Sequence, residues 1–244
     1  MRLFDLSGKV AIITGSSRGI GQAIAEAFAE AGGRVVISAR NSAPCEEAAA
    51  AIRAKGGEAI AVTARISDKA QLENLVAKTR EAWGRIDILV CNAAINPHYG
   101  SLEQLTDEVF ERMMVNNVLS NLWLSRISGP TMRDGAIIFI ISTAALRAST
   151  MLGMYGCTKA ADYALCRNLA GELGRHDTRR DAVDAYVVRA PFGGEVAAQG
   201  IIRGLGHPVH AEHRAGAQCR CRDDVDDRAV APYTHFRPDH ARQP

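Results

Sequence analysis

Short, unbroken apolar runs alternate with helix-patterned segments along the first 190 residues, and no other feature of the chain restricts its fold as strongly. The runs lie at 9–15 (KVAIITG), 34–38 (RVVIS), 58–63, 86–91 (IDILVC), 135–141 (GAIIFII) and 182–188 (AVDAYVV). Between them, 20–31, 44–55, 69–83, 106–127 and 153–173 repeat apolar residues at helical spacing. Gly32-Gly33 and Gly56-Gly57 stop the first two helices. The apolar runs are continuous, not alternating, so these strands must be covered on both faces. That is the condition of a parallel sheet flanked by helices. Right-handed crossovers then wind the sheet in two directions and leave ligands at the carboxyl ends of its strands.

Composition removes several function classes. A net charge of +2 over 244 residues gives no basic patch for nucleic acid and no membrane-surface character. No apolar run is long enough to cross a bilayer. Residues 1–13 lack the basic start and small-residue cleavage site of a secretory signal. The six cysteines (Cys45, Cys91, Cys157, Cys166, Cys219 and Cys221) form no CxxC pair and no zinc-like spacing with histidine. Reduced thiols, no metal and a cytoplasmic location are therefore expected. Cys157 is expected to be a small packed residue, and Trp83, Trp123 and Met113-Met114 to be packing residues.

The turn between the first strand and the first helix reads Thr14-Gly15-Ser16-Ser17-Arg18-Gly19-Ile20-Gly21. Gly15 lets the chain turn sharply, Gly19 admits a pyrophosphate to the backbone, and Gly21 lets the helix pack closely. The free N–H groups and dipole of the helix favour the anion. The turn thus predicts a Rossmann-type dinucleotide site. The second strand ends Ser38-Ala39-Arg40, where an NAD site usually carries an acid for the ribose 2′-hydroxyl. Arg40, with Arg18, suits a 2′-phosphate instead. NADP(H) is favoured, with NAD(H) the alternative.

Tyr155 and Lys159 are four apart at the start of a helix and share one face. A phenol has a reference pKa of about 10, and a nearby ammonium favours its ionised form. Ser142 directly follows the fifth strand, at the ligand end of the sheet. Its hydroxyl can hydrogen-bond a carbonyl oxygen.

TGSSRGIG, CNAA at 91–94, Asn117, Ser142 and YGCTK at 155–159 resemble, in order and spacing, the short-chain dehydrogenase/reductase family. The match runs from about residue 8 to 176. Val90–Ser101 is similar to NADPH-dependent carbonyl/retinal reductases, and the resemblance to 3-oxoacyl-carrier-protein reductases is nearly as good. The resemblance implies Tyr155 as general acid/base and Ser142 as orienter of the carbonyl. It implies that Lys159 binds the nicotinamide ribose and acts on the tyrosine. Asn117 would hold a water in a proton relay. The register from Phe110 selects Asn117 over Asn116. Ser17, Ile20, Asn92 and Ala93 complete the implied cofactor contacts. Hydride would pass between NADP(H) and a small-molecule carbonyl or secondary alcohol. The family also implies a homotetramer or homodimer.

The chain departs from the family in places. Arg65 stands where an Asp holds the adenine amino group, and Ala94 replaces a glycine. Over 178–192, Ala185-Tyr186 replaces Pro-Gly and Ala190 replaces a threonine, while Asp184 puts a charge into an apolar strand. The expected organisation is a single α/β domain over 1–204 and an atypical tail over 205–244. From His207 onward, Arg, His, Asp and Pro dominate, and too little apolar area is present to offset ordering. A shift of reading frame accounts for such a break: the codons of Asp226-Asp227-Arg228-Ala229, read one nucleotide later, can encode Met-Thr-Gly-Gln. A divergent tail is the alternative. Two functional readings stay open, a working reductase and a nucleotide-binding relic without turnover.

Overall fold

The structure, a computed structural model, describes residues 5–132 and 135–173, together with the backbone of Val183–Arg189. Six strands are described: β1 (Val10–Thr14), β2 (Arg34–Ser38), β3 (Glu58–Ala61), β4 (Ile88–Cys91), β5 (Gly135–Ile141) and β6 (Val183–Arg189). They form one parallel sheet in the order β3-β2-β1-β4-β5-β6. The chain leaves β1 toward β2 on one side and returns to β4 on the other. The strand order therefore reverses between β1 and β4, which opens a crevice beyond their carboxyl ends.

Successive strand residues point to opposite faces, and each face has its own core. Ala11, Ile13, Val35, Ile37, Ile88, Val90, Ile138 and Ile140 join one cluster; Ile12, Val36, Leu89, Cys91, Ile137, Phe139 and Ile141 join the other. The first is covered by α1 (Gly19–Glu30) and α2 (Ser42–Ala54). These helices bury Ile24, Ala25 and Phe28, and Cys45, Ala48, Ala49 and Ile52, at helical spacing. The second is covered by α3 (Lys69–Trp83), α5 (Ser120–Ser128) and α6 (Gly153–Leu173). Asp68 starts α3 by accepting from Gln71 N, and Gly84 ends it at φ 73°.

The amino end of the sheet is closed by charge. Asp87 is buried and accepts from Val10 N at 2.9 Å, and Arg85 and Lys9 pair with it from the surface. Its opposite end carries the loops considered below.

The strand and helix positions follow the sequence reading to within a few residues at each end. One element differs. Residues 106–127 read as a single long helix. The chain instead forms α4 (Asp107–Met114), a π-helical turn (Val115–Leu119) and α5. The π turn carries an extra residue per turn, a device concentrated at functional sites. It turns Asn117 inward to full burial. Met113 is fully buried, and Trp83 and Trp123 pack against the second core. Cys157 departs from expectation: it is exposed on α6, because it lies off the face that carries Tyr155 and Lys159. None of the four described cysteines forms a disulfide. The tail over 205–244 and the side chains of 178–192 lie outside the described residues.

Candidate active site

The phosphate turn is built on three strands. Thr14 Oγ1, at the end of β1, donates to Val90 O and accepts from Asn92 N at 3.0 Å and Ala93 N at 3.1 Å. Asn92 returns the contact, its Nδ2 donating to Thr14 O at 2.8 Å and Gly15 O at 3.2 Å. Buried Ser16 donates to Ile13 O and accepts from Ser38 N, which ties the turn to β2. Asn92 thus acts first on the turn itself, crossing the switch point between β1 and β4.

The glycines have separate reasons. Gly15 and Gly19 sit at φ 67° and 61°, where side chains are strained. A Cβ on Gly21 would lie 2.5 Å from Gly15 O and 2.6 Å from Asn92 Nδ2. Gly21 therefore lets α1 close on the turn and on Asn92. A Cβ at Gly19 would meet nothing within 4 Å, so that side of the turn faces open space. Arg18 is the N-cap of α1, exposed, and makes no capping bond through its side chain. Ser17 and Ile20 are half-buried on either side of it. Arg40 is exposed two residues beyond β2, and Arg65 is exposed beyond β3. All of these lie at the carboxyl end of the sheet.

The other half of the site hangs on β5 and α6. Ser142 follows β5 directly, and its Oγ accepts from Ala144 N at 3.2 Å, which leaves the hydroxyl proton to donate. A Cβ on Gly156 would lie 2.5 Å from Ala144 O. Only glycine lets α6 press this closely on the turn that carries Ser142. Tyr155, the preceding residue, is half-buried there. Lys159 is buried, and its Nζ donates to Ile140 O, two residues before Ser142, and to Asp162 Oδ2, both at 3.0 Å.

Asn117 joins this half to the loop after β4. Its Oδ1 accepts from Ile95 N at 2.8 Å, and its Nδ2 donates to Ile95 O at 2.9 Å and Thr158 Oγ1 at 3.1 Å. Both functions of its side chain are thus engaged in clamping that loop to α6. Asn121, one turn on, donates to Asn117 O at 2.7 Å and to Asp162 Oδ1 at 2.9 Å. Burial pushes the Asp162 carboxyl above the usual carboxylate range, and the Lys159 ammonium and the Asn121 amide pull it back. Burial likewise pushes the Cys91 thiol, on the neighbouring strand, well above its ordinary value.

Sequence reasoning missed Asn121, Thr158 and Asp162. A signal was present: Asn117, Asn121 and Ser125, and Lys159 and Asp162, repeat polar groups at three- and four-residue spacing on helices that must bury one face. Among the described residues, no cluster of histidine, cysteine and carboxylate groups is placed to hold a metal ion.

A doubly wound sheet with a glycine turn at its switch point defines a Rossmann-type dinucleotide-dependent protein. Comparison with known proteins narrows that class. The family model described as short chain dehydrogenase matches residues 9–200. A short-chain dehydrogenase/reductase from Arabidopsis thaliana is 37% identical over 199 residues, 81% of this chain and 78% of the relative. Dehydrogenase/reductase SDR family member 4 from Oryctolagus cuniculus is 35% identical, over 77% of this chain and 73% of the relative. The crystal structure of a short chain dehydrogenase from Burkholderia cenocepacia in complex with NADP superposes with a TM-score of 0.76 at 28% identity, covering 83% of this chain and 92% of that one. The chain belongs to the short-chain dehydrogenase/reductase family. It is an NAD(P)-dependent oxidoreductase acting on CH–OH and carbonyl groups.

Proposed function

We propose that the protein is an NADP(H)-dependent carbonyl reductase, or the corresponding secondary-alcohol dehydrogenase, with Tyr155 as general acid/base. The observation that carries this reading is the bond from Lys159 Nζ to Ile140 O. It anchors the helix face bearing Tyr155 and Lys159 at the end of β5, beside Ser142.

The residues present fit a dinucleotide. Gly19, Arg18 and the first turn of α1 would offer backbone N–H groups to a pyrophosphate in the open space beside Gly19. Asn92 and Ala93 bond the turn from across the switch point, and Ser17 and Ile20 belong to the same proposed cofactor contacts. Arg40 supplies the cation for a 2′-phosphate, assisted by Arg18; this is the basis for preferring NADP(H) to NAD(H). When bound, the cofactor supplies or accepts the hydride. Ser142 donates its hydroxyl proton to the carbonyl oxygen and fixes its direction. Tyr155 gives that oxygen a proton in reduction and takes one in oxidation. Lys159, with two of its three donors on Ile140 O and Asp162 Oδ2, would use the third to hold the nicotinamide ribose. Asn117 holds the loop after β4 through Ile95, and the proposed proton relay would use a water bound near it.

Exposed Tyr99 and Leu102 follow β4 and exposed Leu146 and Met151 follow β5, on two loops joined by the Gly100 N to Met151 O bond. They suit a small-molecule carbonyl or alcohol with an apolar flank. A cytoplasmic location and self-association as a homodimer or homotetramer belong to the same proposal.

The test is Tyr155→Phe, assayed with a carbonyl panel and both cofactors. Turnover should fall by about 10²–10⁴ while NADPH binding changes little. Full activity in the phenylalanine variant would refute the assignment.

A further inference from the structure

We infer that Asp162, held by Asn121, is a positioning residue for Lys159 and sets the charge of the Tyr155–Lys159 pair. This deepens the proposed function and rests on it for the role of that pair.

The geometry is specific. Lys159 and Asp162 are 2% and 1% exposed in their side chains, and Nζ to Oδ2 is 3.0 Å. An ammonium has three donors. Ile140 O takes one and Asp162 takes another, so these two bonds aim the third. The carboxylate is itself fixed, because Asn121 Nδ2 holds its Oδ1 from α5 and bonds Asn117 O with its second proton. A continuous chain of hydrogen bonds thus runs from Ile95 through Asn117 and Asn121 to Asp162 and Lys159. It joins the loop after β4, the π turn and α6.

A buried ion pair of this kind gives little net stability. Desolvation of both charges offsets most of their attraction, and an apolar pair of equal volume would serve packing as well. Stability alone therefore gives no reason for a carboxylate at 162. Its two effects on Lys159 do. It restricts the ammonium to one place, and it cancels part of the charge that the ammonium presents to Tyr155. Among the described residues, the titratable groups that act on one another here are, besides this pair, thiols: Cys91 on β4 lies within electrostatic reach of Asp162, Lys159 and Cys166. Asn121, facing from α5, is neutral.

Removing the carboxylate charge has a definite sign. In the proposed function the Tyr155 phenol and the Lys159 ammonium act as one unit. With one negative charge fewer beside them, the first proton leaves the pair at lower pH, whichever group releases it. Asp162→Asn keeps the shape and removes the charge. Asp162→Glu keeps the charge and moves it by one methylene.

The full-length chain and these variants are compared in two ways. The first is the rise of near-ultraviolet phenolate absorbance with pH, with the Tyr155 contribution obtained by difference from Tyr155→Phe in each background. The second is the pH profile of kcat and kcat/KM for alcohol oxidation and carbonyl reduction. In Asp162→Asn the phenolate midpoint should move down by about half a unit or more. The kcat value should fall about tenfold with KM for the carbonyl little changed. Asp162→Glu should keep the midpoint and lose less of kcat. An unchanged midpoint together with unchanged kcat in Asp162→Asn overturns the inference. If that variant does not fold, Asn121→Ala decides: lowered kcat at unchanged thermal midpoint supports the role, and full kcat overturns it. The optical titration needs no turnover. A chain that reduces no carbonyl would sink the proposed function yet leave the Asp162 result readable.

Discussion

The two faces of the sheet bury different chemistry. Under α1 and α2 every buried helix residue is apolar or glycine. Under α3, α5 and α6 the buried set includes Thr79, Asn121, Ser125, Ser128, Thr158, Lys159 and Asp162, and the π turn adds Asn117. Buried polar groups cost free energy unless each finds a partner, and here the side chains in the series from Asn117 to Lys159 do. Ser120, Ser125 and Ser128 each donate to the carbonyl four residues back. The first face is a packing surface with the proposed cofactor turn at its rim, at the amino end of α1. The second has the proposed catalytic groups in its interior. A parallel sheet can thus keep one side for cohesion and use the other to hold charges in fixed places.

The sharpest way to break this contrast is Phe28→Ala, on the apolar face. Phe28 is fully buried beneath α1. Its truncation should lower unfolding free energy by about 3–5 kcal/mol in a urea titration. The pH profile of the surviving folded enzyme should stay unchanged. A shifted profile would mean that the two faces are coupled.

Gly156→Ala probes the polar face. Its Cβ would lie 2.5 Å from Ala144 O, a backbone atom that cannot move alone. The helix must shift away from the Ser142 turn, at a cost of about 1–3 kcal/mol. Activity should fall well beyond what the loss of folded protein explains. Stability loss with full specific activity would show that the approach of α6 to that turn is only packing.

Arg40→Asp tests the rim of the first face. It should weaken NADPH binding about tenfold and improve relative NADH binding, since a charge-assisted phosphate bond is exchanged for a hydroxyl acceptor. Stability should not change. Equal NADPH affinity before and after would remove Arg40 from the site.

The smallest effect concerns thiols. Cys157 is exposed, whereas Cys45, Cys91 and Cys166 are buried, and burial raises Cys45 and raises Cys91 further. Peptide mapping after brief maleimide treatment of the native chain should find Cys157 labelled first of these four. Early labelling of Cys91 would show that the second core opens in solution.

Much of this was legible in the sequence because its causes are local. Continuous apolar runs can be stable only as covered strands, and glycines at 15, 19 and 21 mark a turn that few other residues can make. Ser142 after a strand and the four-residue spacing of Tyr155 and Lys159 follow from the same periodicities. Position along the chain was therefore enough to propose the two halves of the site. The π turn was not legible, because an extra residue in one helical turn leaves the apolar spacing on either side almost intact. Cys157 was misjudged because size and type do not say which way a residue on a half-covered helix faces.

The order of strands and helices, the ligand end of the sheet and the residue types expected there are readable from local spacing, since each depends on neighbours within a few positions. Three-dimensional packing was needed to show that Asn117 clamps Ile95 to Thr158, that Asn92 braces the glycine turn, and that Asp162 lies against Lys159 under the hold of Asn121. Those contacts join residues up to 78 positions apart. Asp162 and Lys159 are neighbours on any helix, but whether their charges meet in water or in a dry core depends on what covers that helix. The covering is supplied by α5, β4 and β5, and burial by those elements turns an ordinary surface pair into a fixed charge beside the site.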